Sequence, residues 1–102
     1  MFLNQSMPEL DLYGTVDAAV CCLDSLNYLT SPRDVRRTFQ RLRLFIAPGG
    51  ILIFDVLSPS GLRDLDGQVF LDEREDVYCV WRAEWSRRGR ICSYFMDIFQ
   101  RD

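Results

Sequence analysis

Two short apolar runs, each closing on an aspartate, constrain this chain more than any other feature. VDAAVCCL, residues 16–23, ends at Asp24, and ILIF, residues 51–54, ends at Asp55. Each run has strand length and little polar alternation, the pattern of strands covered on both faces. Between them lies a helix signal. Ser31 stands at a capping position, Pro32 suits the first helical position, and Asp34 follows three residues after the cap. Val35, Phe39, Leu42 and Ile46 form one apolar stripe, with Arg36, Arg37, Gln40, Arg41 and Arg43 elsewhere on the helix. Ala47-Pro48-Gly49-Gly50 reads as the stop and the turn into the second run. Strand, helix and strand with short connections predict a parallel βαβ unit with a right-handed crossover. Asp24 and Asp55 then stand side by side at the carboxyl edge of the sheet, where open α/β sheets bind ligands.

The flanking segments are of a different kind. MFLN, residues 1–4, is strand-like and is followed by polar and turn residues. Residues 58–75 read as a loop with one helical turn around Gly61 to Leu65. From Val77, the residues Cys79, Trp81, Ala83 and Trp85 alternate with Tyr78, Val80, Arg82 and Glu84, the period of a half-exposed strand. Arg87-Arg88-Gly89 marks a turn, and Arg90 to Gln100 continues as a second strand. The expected organisation is a parallel βαβ part over 1–57, a loop or short helix over 58–75, and an antiparallel β-hairpin over 76–102.

At 102 residues the chain is one small domain, able to bury about 60–65% of its unfolded surface. Its apolar runs are too short for a transmembrane helix, and its start has neither a basic nor an apolar leader region, so no membrane partner and a cytoplasmic location are expected. The net charge of −3 weighs against a nucleic-acid partner. All 12 basic residues are arginine, and the arginines of 33–43 read as a solvated helix face. The absence of histidine excludes Ser-His-Asp and Cys-His catalysis within the chain and removes the commonest zinc ligand. Cys21, Cys22, Cys79 and Cys92 include no C-x-x-C pair, and neighbours in a strand face opposite ways, so no metal site is expected. Reduced thiols in the core are the leading reading, with a Cys79–Cys92 bridge across the hairpin as the alternative.

VDAAVCCLDSLNYL, a helix opened by SPRDV, and IAPGGILIFDV together resemble the second half of a class I S-adenosylmethionine-dependent methyltransferase domain. DSLNYL, FDV and the antiparallel stretch VYCVWRAEWSRRGRICSYFMDIF are similar to a small-molecule methyltransferase subgroup that carries an antiparallel insertion after this strand. The resemblance implies a partial Rossmann-like α/β sheet plus the hairpin. It implies S-adenosyl-L-methionine as cofactor, met by Ser6, Met7, Cys22, Leu23 and Asp24, although the family often has an acid where Ser6 stands. It implies a small-molecule methyl acceptor held by Ser25, Asn27, Tyr28 and Asp55, with Asp24 and Tyr28 as the catalytic pair. In that chemistry Asp24 orients the acceptor, takes its proton, or balances the cofactor's positive charge.

No G-x-G occurs in the chain, so the family's glycine-rich cofactor loop is not in it. A truncated methyltransferase that binds the cofactor weakly or not at all is therefore the expectation. The alternative is a catalytically inactive fragment that serves as a binding or self-assembly module. A homo-oligomer formed through an exposed strand edge, or through the face of Trp81 and Trp85, is expected in either case. The plainer readings stand beside these. Asp24 caps the next segment, Asp55 bonds loop amides, Tyr28 packs beneath the loop, and Trp81 and Trp85 are core. Ser25 has no base to make it a nucleophile. A dehydrogenase-type nucleotide-binding domain gains no support without G-x-G-x-x-G.

Overall fold

The computed structural model describes residues 1–101. They form two compact units, Met1–Val56 and a second from Leu57 onward. In the first unit, β1 (Val16–Cys21) and β2 (Ile46–Phe54) pair in parallel, joined by the helix α1 (Pro32–Phe45). This is the expected βαβ crossover. The strand β1 stops two residues earlier than the apolar run, because Leu23 and Asp24 turn into the left-handed region with φ of 59° and 60°.

Ser31 occupies the N-cap of α1, but its hydroxyl makes no capping bond; its carbonyl receives the Val35 amide at 3.1 Å. Asp34 in the first turn and Arg43 in the last complement the helix dipole. The helix ends at Phe45, and the chain enters β2 without a turn. Ala47-Pro48-Gly49-Gly50 therefore lies inside the strand rather than before it. Val16 pairs with Ile46 and Ala18 with Ile51, so β2 advances five residues while β1 advances two. The surplus forms a bulge, one of the places where a strand proline, which has no N–H, does not break a ladder. Gly49 carries φ of 81° in open space. Gly50 is present for room: a Cβ there would stand 2.6 Å from Ile46 Cγ2 and 2.8 Å from the Asp17 carbonyl oxygen.

The face of α1 that meets the rest of the unit is shifted from the expected stripe. Thr38 is buried at 2% exposure, and its hydroxyl donates to the Asp34 carbonyl at 2.8 Å. Phe39 sits at the margin at 37% exposure, edge-on to Phe54 with ring centres 5.7 Å apart. Two arginines of the helix also act as fasteners, Arg37 while exposed and Arg41 half-buried. Arg37 Nε donates to the Pro8 carbonyl at 2.9 Å, and Arg41 Nε donates to the Leu10 carbonyl at 2.7 Å. They hold the segment around a 3-10 turn, Met7–Glu9. The strand expected over residues 1–4 does not form. No strand among the described residues pairs with it, and without a ladder its strand propensity gains nothing.

The second face of this sheet is bare in the chain, against the expectation of cover on both sides. Val20, Ile51 and Ile53 are 66%, 58% and 59% exposed.

The second unit opens with the short helix α2 (Pro59–Asp64), capped by Ser58 Oγ, which accepts from the Gly61 amide at 3.1 Å. The expected hairpin is a three-stranded antiparallel sheet, β3 (Val69–Glu73), β4 (Val77–Ser86) and β5 (Ile91–Gln100), in the order β3-β4-β5. The extra strand was hidden because VFLDE ends in charges and runs into the turn residues Arg74 to Asp76. Pairing of Phe70 with Trp81 decides it: the two rings stack at 4.1 Å, and Tyr94 meets Trp81 edge-on at 5.6 Å. Ala83, fully buried, lies between Trp81 and Trp85 on the same face. All four thiols are free, and Cys22 is exposed rather than in the core. Cys79 opposes Ile98 whereas Cys92 opposes Trp85, which separates the two cysteines by roughly 20 Å along β5 and excludes a bridge.

Candidate functional site

The carboxyl ends of β1 and β2 lie side by side, with Cys21 opposite Phe54 as the last ladder pair. The chain beyond each strand is then joined to the other by Asp55. Its backbone amide donates to the Cys21 carbonyl at 3.2 Å. Its carboxylate accepts twice: Oδ2 from the Leu23 amide at 3.1 Å, and Oδ1 from the Asp24 amide at 2.8 Å. Both donors belong to left-handed residues. Asp visits that region readily, but a leucine there is unusual, and each non-glycine left-handed residue costs roughly 1–2 kcal/mol. The two carboxylate bonds offset that cost.

A 3-10 turn, Ser25–Tyr28, follows directly. Asp24 stands at its N-cap, yet its side chain makes no capping bond, so the plainer reading of Asp24 as a side-chain cap does not hold. The backbone carbonyl of Asp24 accepts from the Asn27 amide at 2.9 Å instead. Ser25 Oγ donates to the Cys22 carbonyl at 2.6 Å, which ties the hydroxyl to the turn. Leu26 is buried at 8% exposure and anchors the turn, while Tyr28 remains 69% exposed and so is not packed beneath it. Asp24, Ser25 and Asn27 are half-buried; Cys22 and Leu23 are exposed.

Met7 joins the edge from the other side, with the Cys21 thiol directed at its sulfur at 3.9 Å. Burial, then the nearby Asp55 carboxylate and Cys22, raise the Cys21 thiol above its ordinary value of 9.0, so it stays protonated at neutral pH. Ser6 precedes the Met7–Glu9 turn with an exposed side chain that makes no cap bond. Behind the edge, between α1 and the sheet, is an apolar cavity of about 250 Å³, lined by residues that include Met7, Cys21, Leu26, Thr38 and Phe54. Among the described residues, no cluster of three or more His, Cys, Asp or Glu side chains could hold a metal ion. No helix among them is long and apolar enough to cross a membrane.

The sequence placed Asp24 and Asp55 together at one edge, and Asp55 takes the Asp24 amide there. Its plainer reading of Asp55, an acid that bonds loop amides, is met by the two carboxylate bonds, but which amides these are was not legible. A left-handed leucine has no sequence signature, and only the strand-ending acid beside a second strand end hinted at the clamp. Trp81 and Trp85 belong to the other unit, within the aromatic face of the antiparallel sheet.

No family model matches the chain. It is 39% identical over 85 residues to a Bacillus subtilis (strain 168) protein named "Putative methyltransferase YqeM", an alignment that covers 81% of this chain and 34% of that protein. The chain belongs to the methyltransferases. It spans about a third of the length of the curated relatives it matches. Its fold is that of solved methyltransferases. A S-adenosylmethionine-dependent enzyme from Clostridium acetobutylicum superposes with a TM-score of 0.71 at 23% identity, over 96% of this chain and 46% of that one. CalS10 from Micromonospora echinaspora, an amino pentose methyltransferase solved with its cofactor bound, superposes with a TM-score of 0.64 at 22% identity, over 96% and 49%. In methyltransferase terms, the DSLNYL turn and Asp55 lie at the carboxyl edge of the parallel strands.

Proposed function

We propose that this chain forms the acceptor-side edge of a methyltransferase that acts on a small molecule, with Asp24 and Tyr28 at the reacting centre. The observation that carries this reading is Asp24 itself. It stands at the carboxyl edge of the two parallel strands, half-buried, with a carboxylate that the following turn does not use. The residues there suit S-adenosyl-L-methionine: Met7 and Leu23 offer apolar surface to an adenosyl group, and Asp24 offers negative charge to a cation. When bound, the cofactor supplies an electrophilic methyl group on a sulfonium. Asp24 then orients an amine or hydroxyl acceptor and receives its proton. Tyr28, exposed beside it, hydrogen-bonds the acceptor together with Asn27 and Ser25.

Calorimetric titration with S-adenosylhomocysteine tests the reading, with Asp24→Asn in parallel. Weak, saturable binding in the millimolar range, weakened at least threefold by Asp24→Asn, is the expected result. No heat from the unsubstituted chain at millimolar ligand overturns it for this chain.

A second reading, self-assembly, draws on a separate observation. Val20, Ile51 and Ile53 leave one face of the parallel sheet bare, and the strand edges of β3 and β5 carry no further partner among the described residues. Exposed edges of this kind pair with a second copy. A monodisperse monomer by light scattering at high concentration counts against it.

A further inference from the structure

We propose that Asp55 is a positioning residue: its carboxylate holds Leu23 and Asp24 in a left-handed pair and thereby sets the direction in which Asp24 leaves the sheet. The inference rests on the methyltransferase reading only for what Asp24 then does. The geometry is independent of it. The Asp55 amide extends the parallel ladder by one step to the Cys21 carbonyl at 3.2 Å. A ladder can go no further there, because past Cys22 the β1 side turns away at Leu23 and Asp24, with φ of 59° and 60°. Two successive amides in such a turn make a concavity suited to an anion. Asp55 fills it from within the chain, one oxygen to each amide, at 3.1 and 2.8 Å.

An acid is required by count. An asparagine at 55 has one acceptor oxygen, and its amide nitrogen would face an N–H with another donor. The Asp24 side chain makes no bond to the turn it precedes, so the backbone alone decides where its carboxylate starts. Each Asp55 oxygen already accepts an amide, and this role needs no contact with acceptor or cofactor.

The test uses the full 102-residue chain with Asp55→Asn. Amide hydrogen exchange by NMR is expected to quicken at least tenfold at Leu23 and Asp24, with Ala19 and Leu52 in the middle of the ladder changed less than twofold. Unchanged exchange at 23 and 24 overturns the proposal. Should Asp55→Asn not fold, Asp55→Asn with Leu23→Gly keeps the test open. Glycine takes the left-handed conformation freely, so the pair is expected to fold and to show the fast exchange at Asp24.

The functional arm is a double-mutant cycle on S-adenosylhomocysteine affinity. Asp55→Asn is expected to weaken binding at least threefold alone, and by less than 1.5-fold further in the Asp24→Asn background (about these ratios, as coupled neighbours behave). Losses that simply add show that Asp55 does not act through Asp24. If the unsubstituted chain gives no heat, the proposed function fails while hydrogen exchange still decides the role of Asp55.

Discussion

Arg41 donates its Nε hydrogen to the Leu10 carbonyl at 2.7 Å, and this bond fastens the segment before β1 onto α1. The same side chain lies 5.3 Å over the Phe45 ring and 3.6 Å from the Asp11 carboxylate, which is 74% exposed. A charged donor on a carbonyl contributes roughly 1.5 kcal/mol, the ring contact about 0.5, and the exposed ion pair little. Arg41→Ala is therefore expected to cost about 2 kcal/mol in urea unfolding. Arg41→Lys recovers less than half, because an ammonium cannot reproduce the planar fork. Loss of less than 0.5 kcal/mol in the alanine variant would mean that the arginine is a solvated charge after all.

The two adjacent glycines of β2 separate conformation from space. Gly49→Ala meets nothing but carries a left-handed φ, and is expected to cost about 1 kcal/mol. Gly50→Ala meets Ile46 and two backbone oxygens within 3 Å, and is expected to cost about 2–3 kcal/mol as the bulge shifts. Gly49→Asn should be milder than Gly49→Ala, since asparagine tolerates the left-handed region. Thermal unfolding of the three variants gives the order; equal costs at 49 and 50 contradict the distinction.

Trp81 is the hub of the antiparallel sheet, stacked on Phe70 and edge-on to Tyr94. Trp81→Ala is expected to cost about 3 kcal/mol, from lost burial and lost ring contacts. Phe70→Leu, which keeps most of the apolar area and loses the stack, should cost about 1 kcal/mol. Near-ultraviolet circular dichroism follows both. A Phe70→Leu variant with the unsubstituted spectrum would deny the stack.

The Cys21 thiol gives a pH dependence of known sign. Its pKa in the fold is raised, chiefly by burial and further by the Asp55 carboxylate and Cys22. The unfolded chain therefore ionises first as pH rises. The contribution to stability is complete below the ordinary value near 9.0 and is lost as pH climbs through the raised one. Urea midpoints from pH 7 to 10.5 should fall less in Cys21→Ala than in the unsubstituted chain. Iodoacetamide should label exposed Cys22 before Cys21. Simultaneous labelling, or a steeper alkaline fall in Cys21→Ala, contradicts the assignment.

What the residues determine without help is local and periodic. The apolar run ending at Asp24, the proline-led helix from Pro32, the run ending at Asp55 and the alternation from Val77 to Trp85 each follow from patterns a few residues long. Their order is enough for the βαβ crossover and for placing two acids at one edge. What only the tertiary structure decided lies in pairings across distance. Ile46 opposite Val16 turned the PGG turn into a bulge within β2. Trp81 opposite Phe70 made a strand of VFLDE. The carbonyls of Pro8 and Leu10 made fasteners of Arg37 and Arg41. Leu23 took a conformation its own chemistry disfavours because Asp55, more than thirty residues on, supplies two acceptors. Local propensity is worth tenths of a kcal/mol per residue, and a matched partner contributes one or more, so where the two conflict the partner wins.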